Sequence, residues 1–310
     1  MAASSSNDKQ NFTTFAWQGI TLTVPEEWSV IVTRGDYDSG YVALADESQM
    51  RLQLKWDEAE KNADPSGAAT RYIRELRKNA KKEKNEISVN RQLNLANIRG
   101  KKIECYEWVS ANRGIGMVSI CQKCQRVVHV AVLGDRDESM RNLSRTVFAS
   151  LSDHPENGEM LWKFYDVEFY SPEGWRLHYP ELKTGCIRMP FRKKREELEF
   201  IRVSLAQILL SESSLSEWFR DFFESELKRK SCTTRETQVK RHEAIEAEIR
   251  PWLLFDPLRL IGKGKRMRVK CWHCPESNRI MLVNYSGRGG PEVDKLLDFA
   301  VETMKCCENA

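Results

Sequence analysis

The sequence lacks any long hydrophobic run. A membrane-spanning helix needs about 20 consecutive apolar residues, and no stretch approaches that length although 41% of the 310 residues are hydrophobic. The opening stretch "MAASSSNDKQNFTT" is polar and has none of the charged and then apolar layout of a secretory signal. These two absences speak against a membrane partner and a secreted protein. They predict a cytoplasmic protein with residues 1–11 as a flexible leader.

Recognisable patterns of catalysis are absent as well. The chain has only five histidines, and none of the HExxH, GxSxG, Walker or dinucleotide-binding patterns occurs in it. His129 lies on an alternating stretch, so we interpret it as a core residue rather than a catalytic base. The formal net charge is only +4, which excludes a strongly basic arm. We therefore expect neither an enzyme nor a small-molecule substrate.

Cysteine, in contrast, is plentiful for a chain without a secretory signal. The cytosol keeps thiols reduced, so the nine cysteines are poorly explained as a disulfide framework. Metal binding or redox chemistry is the better interpretation. The same spacing occurs twice, as "CQKC" at 121–124 and as "CWHC" at 271–274. Each pair lies between two stretches that alternate like β-strands.

The two cysteine pairs belong to an internal repeat that spans the chain. In "GITLTVPEEWSV" (19–30) and "VEFYSPEGWRLH" (167–178) a proline and a tryptophan recur at matching positions, and "CQKCQRVVHVAVLG" matches "CWHCPESNRIMLVNYSG". A repeat of this length indicates duplication of a whole domain. We predict a first repeat at 12–151, a polar linker at 152–160 and a second repeat at 161–310.

Hydrophobic periodicity gives each repeat the same order of elements. Alternating apolar residues predict antiparallel strands, and apolar residues at steps of three and four predict long core-facing helices at 66–84 and 213–230. Pro65 after Asp64 suits a helix start, and Ser214 with Glu217 has the spacing of a capping box. More strands and a closing helix follow in each half. The predicted fold class is α+β: two tandem repeats, each an antiparallel β-sheet flanked by helices.

The opening of each repeat resembles a known superfamily. The first repeat reads F-x-W-x-GI-x-LTVPEEW and the second reads FYDVEFYSPEGW. With the order of elements that follows, this turn resembles the PsbP-like superfamily, which includes the photosystem II P subunit, a Ran-binding nuclear import factor and chaperones for bacterial secretion effectors. The resemblance implies tandem PsbP-like α/β sandwich domains and a non-enzymatic binding module. The tandem arrangement and the CxxC pairs depart from familiar members, so no particular partner is implied.

The paired cysteines predict a zinc site. Two thiolates three residues apart on a tight turn can both reach one ion at about 2.3 Å, and tetrahedral zinc needs two such pairs. If the repeats pack about a pseudo-twofold axis, the two hairpin tips meet there. We therefore predict one structural Zn²⁺ shared by the two repeats, with the ligands Cys121, Cys124, Cys271 and Cys274.

Other interpretations of the cysteines stay open. Thiol–disulfide redox chemistry of the thioredoxin type would place a CxxC between a strand and a helix, whereas strands flank both pairs here. A separate metal in each half is another option, with Cys105 and His273 as further donors. The simplest alternative is unliganded structural cysteines.

The expected function is therefore that of a zinc-stabilised tandem-domain binding or scaffold protein. Its partner would be another protein, or further copies of the chain. A zinc-containing nucleic-acid-binding protein is an alternative, because basic stretches occur at 192–195, 228–230 and 263–270. Acidic residues follow or interleave with these stretches, which favours solvated faces over nucleic-acid contact.

Overall fold

The computed structural model describes residues 11–155, 157–228, 230–251 and 266–307. Residues 1–10 of the predicted leader, residue 229 of the second basic stretch and residues 263–265 of the third lie outside the described part. Within the described part, every helix is too short or too polar to cross a membrane.

The chain forms two compact units. The second unit begins at Asn157, except that Lys163–Tyr165 group with the first unit. In the first half, eleven helices and strands are described, and they are β1 (Phe12–Trp17), β2 (Ile20–Pro25), β3 (Ser29–Gly35), β4 (Gly40–Ala45), β5 (Met50–Glu58), α1 (Pro65–Lys82), β6 (Ser88–Leu93), β7 (Lys101–Val109), β8 (Asn112–Cys121), β9 (Arg126–Asp135) and α2 (Arg141–Ala149).

Strands of the first unit pair in antiparallel fashion. β1 and β2 form a hairpin, and β3 to β9 form a seven-stranded sheet in the order β3-β4-β5-β9-β8-β7-β6. Helix α1 packs its apolar side on β7 and β8, where Ala69 and Ile73 join a core that includes Tyr106 and Val118. The predicted start of α1 is confirmed, because the Asp64 side chain caps the helix by accepting a hydrogen bond from the Gly67 amide.

The remainder of the chain repeats this arrangement of strands, with short helices where the first unit has α1. Its elements are β10 (Met160–Phe164), β11 (Val167–Ser171), β12 (Arg176–Leu177), β13 (Glu181–Lys183), β14 (Cys186–Lys193), β15 (Glu196–Ser204), α3 (Ala206–Leu209), α4 (Leu215–Phe222), α5 (Glu224–Leu227), β16 (Lys230–Val239), β17 (His242–Pro251), β18 (Arg266–Cys274), β19 (Arg279–Gly287) and α6 (Glu292–Thr303).

The second unit has an eight-stranded antiparallel sheet with the order β12-β14-β15-β19-β18-β17-β16, and the short β13 also pairs with β14. Strand for strand, this is the order of the seven-stranded sheet in the first unit. In both sheets the strand next to the centre ends at a cysteine and turns directly into its partner: β8 ends at Cys121, and β18 ends at Cys274. The fold thus places the two hairpins at corresponding positions.

The predicted α+β class is wrong, because the chain is mostly β and its sheets are long antiparallel structures with few helices. The error is clearest at 213–230, where one long helix was predicted. Two short helices occupy this range, because the backbone leaves helical geometry at Phe223, whose side chain is fully buried in the core. At Lys230 the chain has already entered the edge strand β16, which pairs with β17. The chain has no room there for a long helix.

Smaller expectations about local structure are confirmed. The capping box of α4 is present, with Ser214 and Glu217 bonding each other's backbone amides. The six tryptophans interpreted as core residues are all buried, and they are Trp17, Trp28, Trp56, Trp162, Trp175 and Trp218. His129 is buried as well, at 5% exposure.

Candidate metal centres

One group of metal-binding side chains lies in the second unit and is called here the C-terminal cluster. It consists of His242, Cys274, Cys306 and Cys307, whose donor atoms all lie within 4.8 Å of one another. The first three side chains are buried and Cys307 is half-buried. Three thiols and one imidazole are the donor set that proteins use for structural zinc.

Backbone pairing brings these four residues together. Cys274 is the last residue of β18, and His242 is the first residue of β17. Because Ala244 pairs with Trp272, the antiparallel register carried two residues further sets His242 opposite Cys274. After helix α6, Lys305 forms an isolated antiparallel bridge with Glu168. This bridge leads the next two residues, both cysteines, back towards the end of β18.

The distances in the C-terminal cluster suit a small ion. Cys307 Sγ lies 3.7 Å from His242 Nε2 and 4.0 Å from Cys306 Sγ. Bonds of about 2.3 Å to sulfur in a tetrahedron give separations of this size. Outside the four donors, Glu276 Oε2 lies 3.8 Å from His242 Nδ1. A carboxylate commonly orients a metal-bound imidazole through a hydrogen bond, and Glu276 would have to move closer than 3.8 Å to form one.

Burial raises the pKa of two of these thiols, those of Cys274 and Cys306, and so favours their protonated form when no cation is near. The pKa of Cys306 rises to about 12. Thiolates are the form that binds zinc, so an ion at the cluster would have to displace the protons. A bound divalent cation stabilises the thiolates and reverses the effect of burial.

The structure does not bring Cys271 to this cluster. Side chains alternate between the two faces of a strand, so residues three apart on β18 point to opposite faces. Cys271 lies in the hydrophobic core with Phe219, Ile245 and Leu282, and its side chain is fully buried there. The second CxxC spacing therefore lies on a straight strand, whereas the expectation placed it on a turn.

A second group lies in the first unit and is called here the N-terminal cluster. It consists of Cys121, Cys124, Asp153 and His154, again with donor atoms within 4.8 Å of one another. Here the CxxC does lie on the turn, because β8 ends at Cys121 and Cys124 follows within the tight connection to β9. Burial raises the pKa of the Cys124 thiol to about 11, and the nearby Asp153 carboxylate adds to that increase.

Polar contacts inside the N-terminal cluster involve a lysine. Asp153 is fully buried and forms an ion pair of 2.5 Å with Lys101 through Oδ1. The same oxygen lies 2.8 Å from His154 Nδ1, and that nitrogen lies 3.7 Å from Cys121 Sγ. The other carboxylate oxygen, Oδ2, is buried without a hydrogen-bond partner among the described residues. A buried oxygen of this kind calls for a partner, which can be a water molecule or an ion.

The two clusters occupy corresponding places in their units. Each takes a cysteine from the end of the strand that turns into β9 or β19. Each also takes two adjacent residues that follow an isolated bridge after the closing helix: Ser152 bridges Thr21 before Asp153–His154, as Lys305 bridges Glu168 before Cys306–Cys307. The hairpin turns agree too, since Gln125 and Asn278 both have a positive φ just before an arginine.

The fourth donor comes from a different place in each unit. In the first unit it is Cys124 in the turn, where the second unit has Ser277. In the second unit it is His242 at the start of β17, where the first unit has Lys101 at the start of β7, directly opposite Cys121. The two units thus share five corresponding positions around the cluster, and in each unit four of the five carry a metal-binding side chain.

Sequence reasoning missed five of the eight cluster residues, and they are Asp153, His154, His242, Cys306 and Cys307. The available signal was the offset between the repeats. Aligning the two CxxC spacings gives an offset of 150 residues, whereas aligning the closing helices gives an offset of 153 residues. The offset of 153 aligns Cys121 with Cys274. It also aligns Asp153–His154 with Cys306–Cys307. Cys105 and His273, considered as further donors, join neither cluster among the described residues.

Comparisons with known proteins give no family. No protein-family model matches the chain, and no curated protein matches it. The Ran-binding protein Mog1p of Saccharomyces cerevisiae is similar over 47% of this chain and 94% of its own, at 10% identity and a TM-score of 0.34. The immunity protein TplEi of the T6SS from Pseudomonas aeruginosa, solved with "L" peptide, is similar over 96% of this chain and 99% of its own, at 12% identity and a TM-score of 0.38. These TM-scores are too low to assign a fold or a family.

Proposed function

We propose that the protein is a non-enzymatic binding module of two PsbP-like units, stabilised by structural zinc and acting on a protein partner. The observation that carries the proposal is the C-terminal cluster. It joins three separate parts of the second unit: the start of β17, the end of β18 and the segment after α6. Metal bound there ties the sheet to the end of the chain, which is a structural role.

Zinc fits this cluster better than other biological metals. Soft thiolates and an imidazole in a four-donor set favour Zn²⁺, and four protein ligands leave no open position for a substrate. Apparent binding free energies at such sites are of order 10 kcal/mol, comparable to the stability of a whole domain. The ion would therefore contribute to folding and not to chemistry.

The redox alternative receives little support from the same geometry. A reactive CxxC needs a thiol whose pKa is lowered, whereas burial raises the pKa of Cys124, Cys271 and Cys274. Cys271 and Cys274 also point to opposite faces of β18, which separates the two thiols that would have to pair.

Nucleic-acid binding is similarly disfavoured. In the basic stretch 192–195, Arg192 pairs with Glu197, and in the described part of 263–270, Arg268 and Lys270 pair with Asp294 and Asp298. Cations that already face carboxylates are less available to phosphates.

A groove in the first unit is the surface we assign to the partner. It has a volume of about 670 Å³ and lies beside α1, with Arg34 and Lys55 among its lining residues. The Lys55 ammonium lies 5.3 Å from the ring centre of Tyr72 and 5.9 Å from that of Tyr41. The two cations outnumber the one carboxylate in the lining, Glu75, and Tyr41 and Tyr72 are half-buried beside them. This positive balance suits an acidic segment of a protein partner.

Metal analysis of one pair of variants tests the zinc proposal. Protein purified without chelators should contain zinc, and Cys307→Ser should lower its content by one ion per chain. Cys186→Ser is the matched control, since Cys186 is half-buried and belongs to neither cluster. Zinc content that is the same in wild type and Cys307→Ser would overturn the assignment. Loss of one ion in Cys271→Ser and Cys124→Ser alike would instead support a single ion shared by the four predicted cysteines.

A further inference from the structure

We infer that the N-terminal cluster is a second zinc site, weaker than the first, in which Lys101 competes with the metal for Asp153. The inference rests on the proposed function, in that it takes zinc as the ion of both clusters. It extends the proposal to Asp153 and His154, which no CxxC pattern indicates, and it gives the two sites different roles.

The case for a metal at the N-terminal cluster comes from three observations within the first unit. Four donors lie within 4.8 Å of one another, as the donors of the C-terminal cluster also do. Asp153 is 0% exposed and keeps one carboxylate oxygen without a hydrogen-bond partner among the described residues. The donors also occupy the place in their unit that the C-terminal cluster occupies in the other.

Ligand chemistry makes this site the weaker one. It offers two thiols, a carboxylate and an imidazole, whereas the C-terminal cluster offers three thiols and an imidazole, and zinc binds best to soft thiolates. Cys124 lies on an exposed turn, although its thiol is partly buried, so water reaches the ion more easily than in the C-terminal cluster. Zinc at this site should therefore exchange with solution while the ion at the other site stays bound.

Lys101 gives the metal-free site a stable alternative. Its side chain is 7% exposed and its ammonium lies 2.5 Å from Asp153 Oδ1, so it balances the buried carboxylate when no ion is present. A bound zinc ion brings its own positive charge to the same carboxylate. The ammonium and the ion then repel each other across a short distance, and each weakens the other. In the second unit the corresponding residue is His242, which binds the ion instead of opposing it.

Competition with a coloured chelator measures both sites in one titration. Wild-type protein should release two zinc ions per chain in two steps. Cys124→Ser should remove the weaker step and leave the tighter one, and Cys307→Ser should do the reverse. Cys186→Ser, outside both clusters, should leave both steps unchanged.

Lys101→Met tests the competition itself, because methionine keeps most of the length of the side chain and removes its charge. We expect zinc binding at the weaker site to tighten by about tenfold, because the opposing charge is gone and groups next to metal ligands change the affinity by about 10–100-fold. The metal-free variant should be less stable than metal-free wild type, and added zinc should restore most of the loss. A lysine with a purely structural role would destabilise the protein equally with and without zinc.

The outcomes separate the two proposals. A single release step that Cys307→Ser abolishes and Cys124→Ser leaves unchanged would refute the second site while the proposed function stands. A single release step that Cys124→Ser abolishes and Cys307→Ser leaves unchanged would refute zinc at the C-terminal cluster and support zinc at the N-terminal cluster. Unchanged zinc affinity in a folded Lys101→Met would refute the role of the lysine.

Discussion

At the scale of single residues, His129 shows how the first unit uses a buried polar group. Its Nε2 lies 2.7 Å from the hydroxyl of Tyr106, and its ring stacks on Tyr72 with 3.8 Å between the centroids. Burial lowers the pKa of His129 to about 3, and Lys55 adds to this decrease. The imidazole is therefore neutral in the folded protein at physiological pH.

This shifted pKa predicts a specific loss of stability in acid. Below about pH 6.5 the unfolded chain binds a proton on this histidine, whereas the folded protein does so only near pH 3. The contribution to the free energy of unfolding is fully present above pH 6.5 and is lost as the pH falls towards 3. Between pH 7 and pH 4.5 this amounts to about 3 kcal/mol.

Urea denaturation of His129→Phe at the two pH values checks this. The variant should be less stable than wild type at pH 7, because the Tyr106 hydroxyl loses its partner. When the pH is lowered from 7 to 4.5, the free energy of unfolding of the variant should fall by about 3 kcal/mol less than that of wild type. His178→Gln leaves His129 in place and should behave like wild type. Equal losses in wild type and His129→Phe would show that this histidine does not control the acid sensitivity.

At the scale of elements, helix α4 depends on its first turn. The helix has only eight residues, and isolated helices of that length are not stable in water. Its capping box satisfies two backbone amides: the Glu217 amide bonds to Ser214 Oγ at 3.2 Å, and the Ser214 amide bonds to Glu217 Oε2 at 2.8 Å. Trp218 and Phe219 then anchor the helix in the core.

Removing the cap should therefore have a measurable cost. Ser214→Ala is expected to lower the free energy of unfolding by about 1 kcal/mol, as at other N-caps. The neighbouring Ser213→Ala is the control, because Ser213 bonds a carbonyl of the preceding short helix and does not cap α4. Thermal or urea unfolding compares the two. A similar small effect from both substitutions would mean that packing alone holds α4 in place.

Much of the strand pattern was predictable because alternation reports burial directly. The strands from β7 to β9 and the start of α1 follow from local patterns and caps. The end of the 213–230 helix was not predictable, because it is set by pairing of Lys230 with a strand about 20 positions away in the sequence. The metal-binding residues were likewise only partly predictable from local patterns. A CxxC spacing says nothing about whether its residues lie on a turn, as at Cys121, or on a strand, as at Cys271.

At the scale of the whole molecule, charge favours an acidic partner. The chain carries a formal net charge of +4, and Arg34 and Lys55 line the groove of the first unit. Long-range attraction of this kind speeds association with anionic surfaces and weakens as salt is added.

Binding of labelled peptides tests this surface. A glutamate-rich peptide of about 15 residues should bind better than a lysine-rich peptide of the same length at low salt. Lys55→Glu should reverse or abolish that preference by replacing a cation that faces the groove. Lys61→Glu makes the same charge change on the exposed surface outside the groove and should keep most of the preference. If the two variants behave alike, net charge and not the groove governs the binding.

The position of the last two donors also affects how the protein is made. Cys306 follows Cys274 by 32 residues, and helix α6 lies between them. During translation every described strand of the second unit is therefore synthesised before Cys306 and Cys307, which are two of the four proposed zinc ligands. If zinc binds as proposed, its capture at the C-terminal cluster would be a late step of biosynthesis.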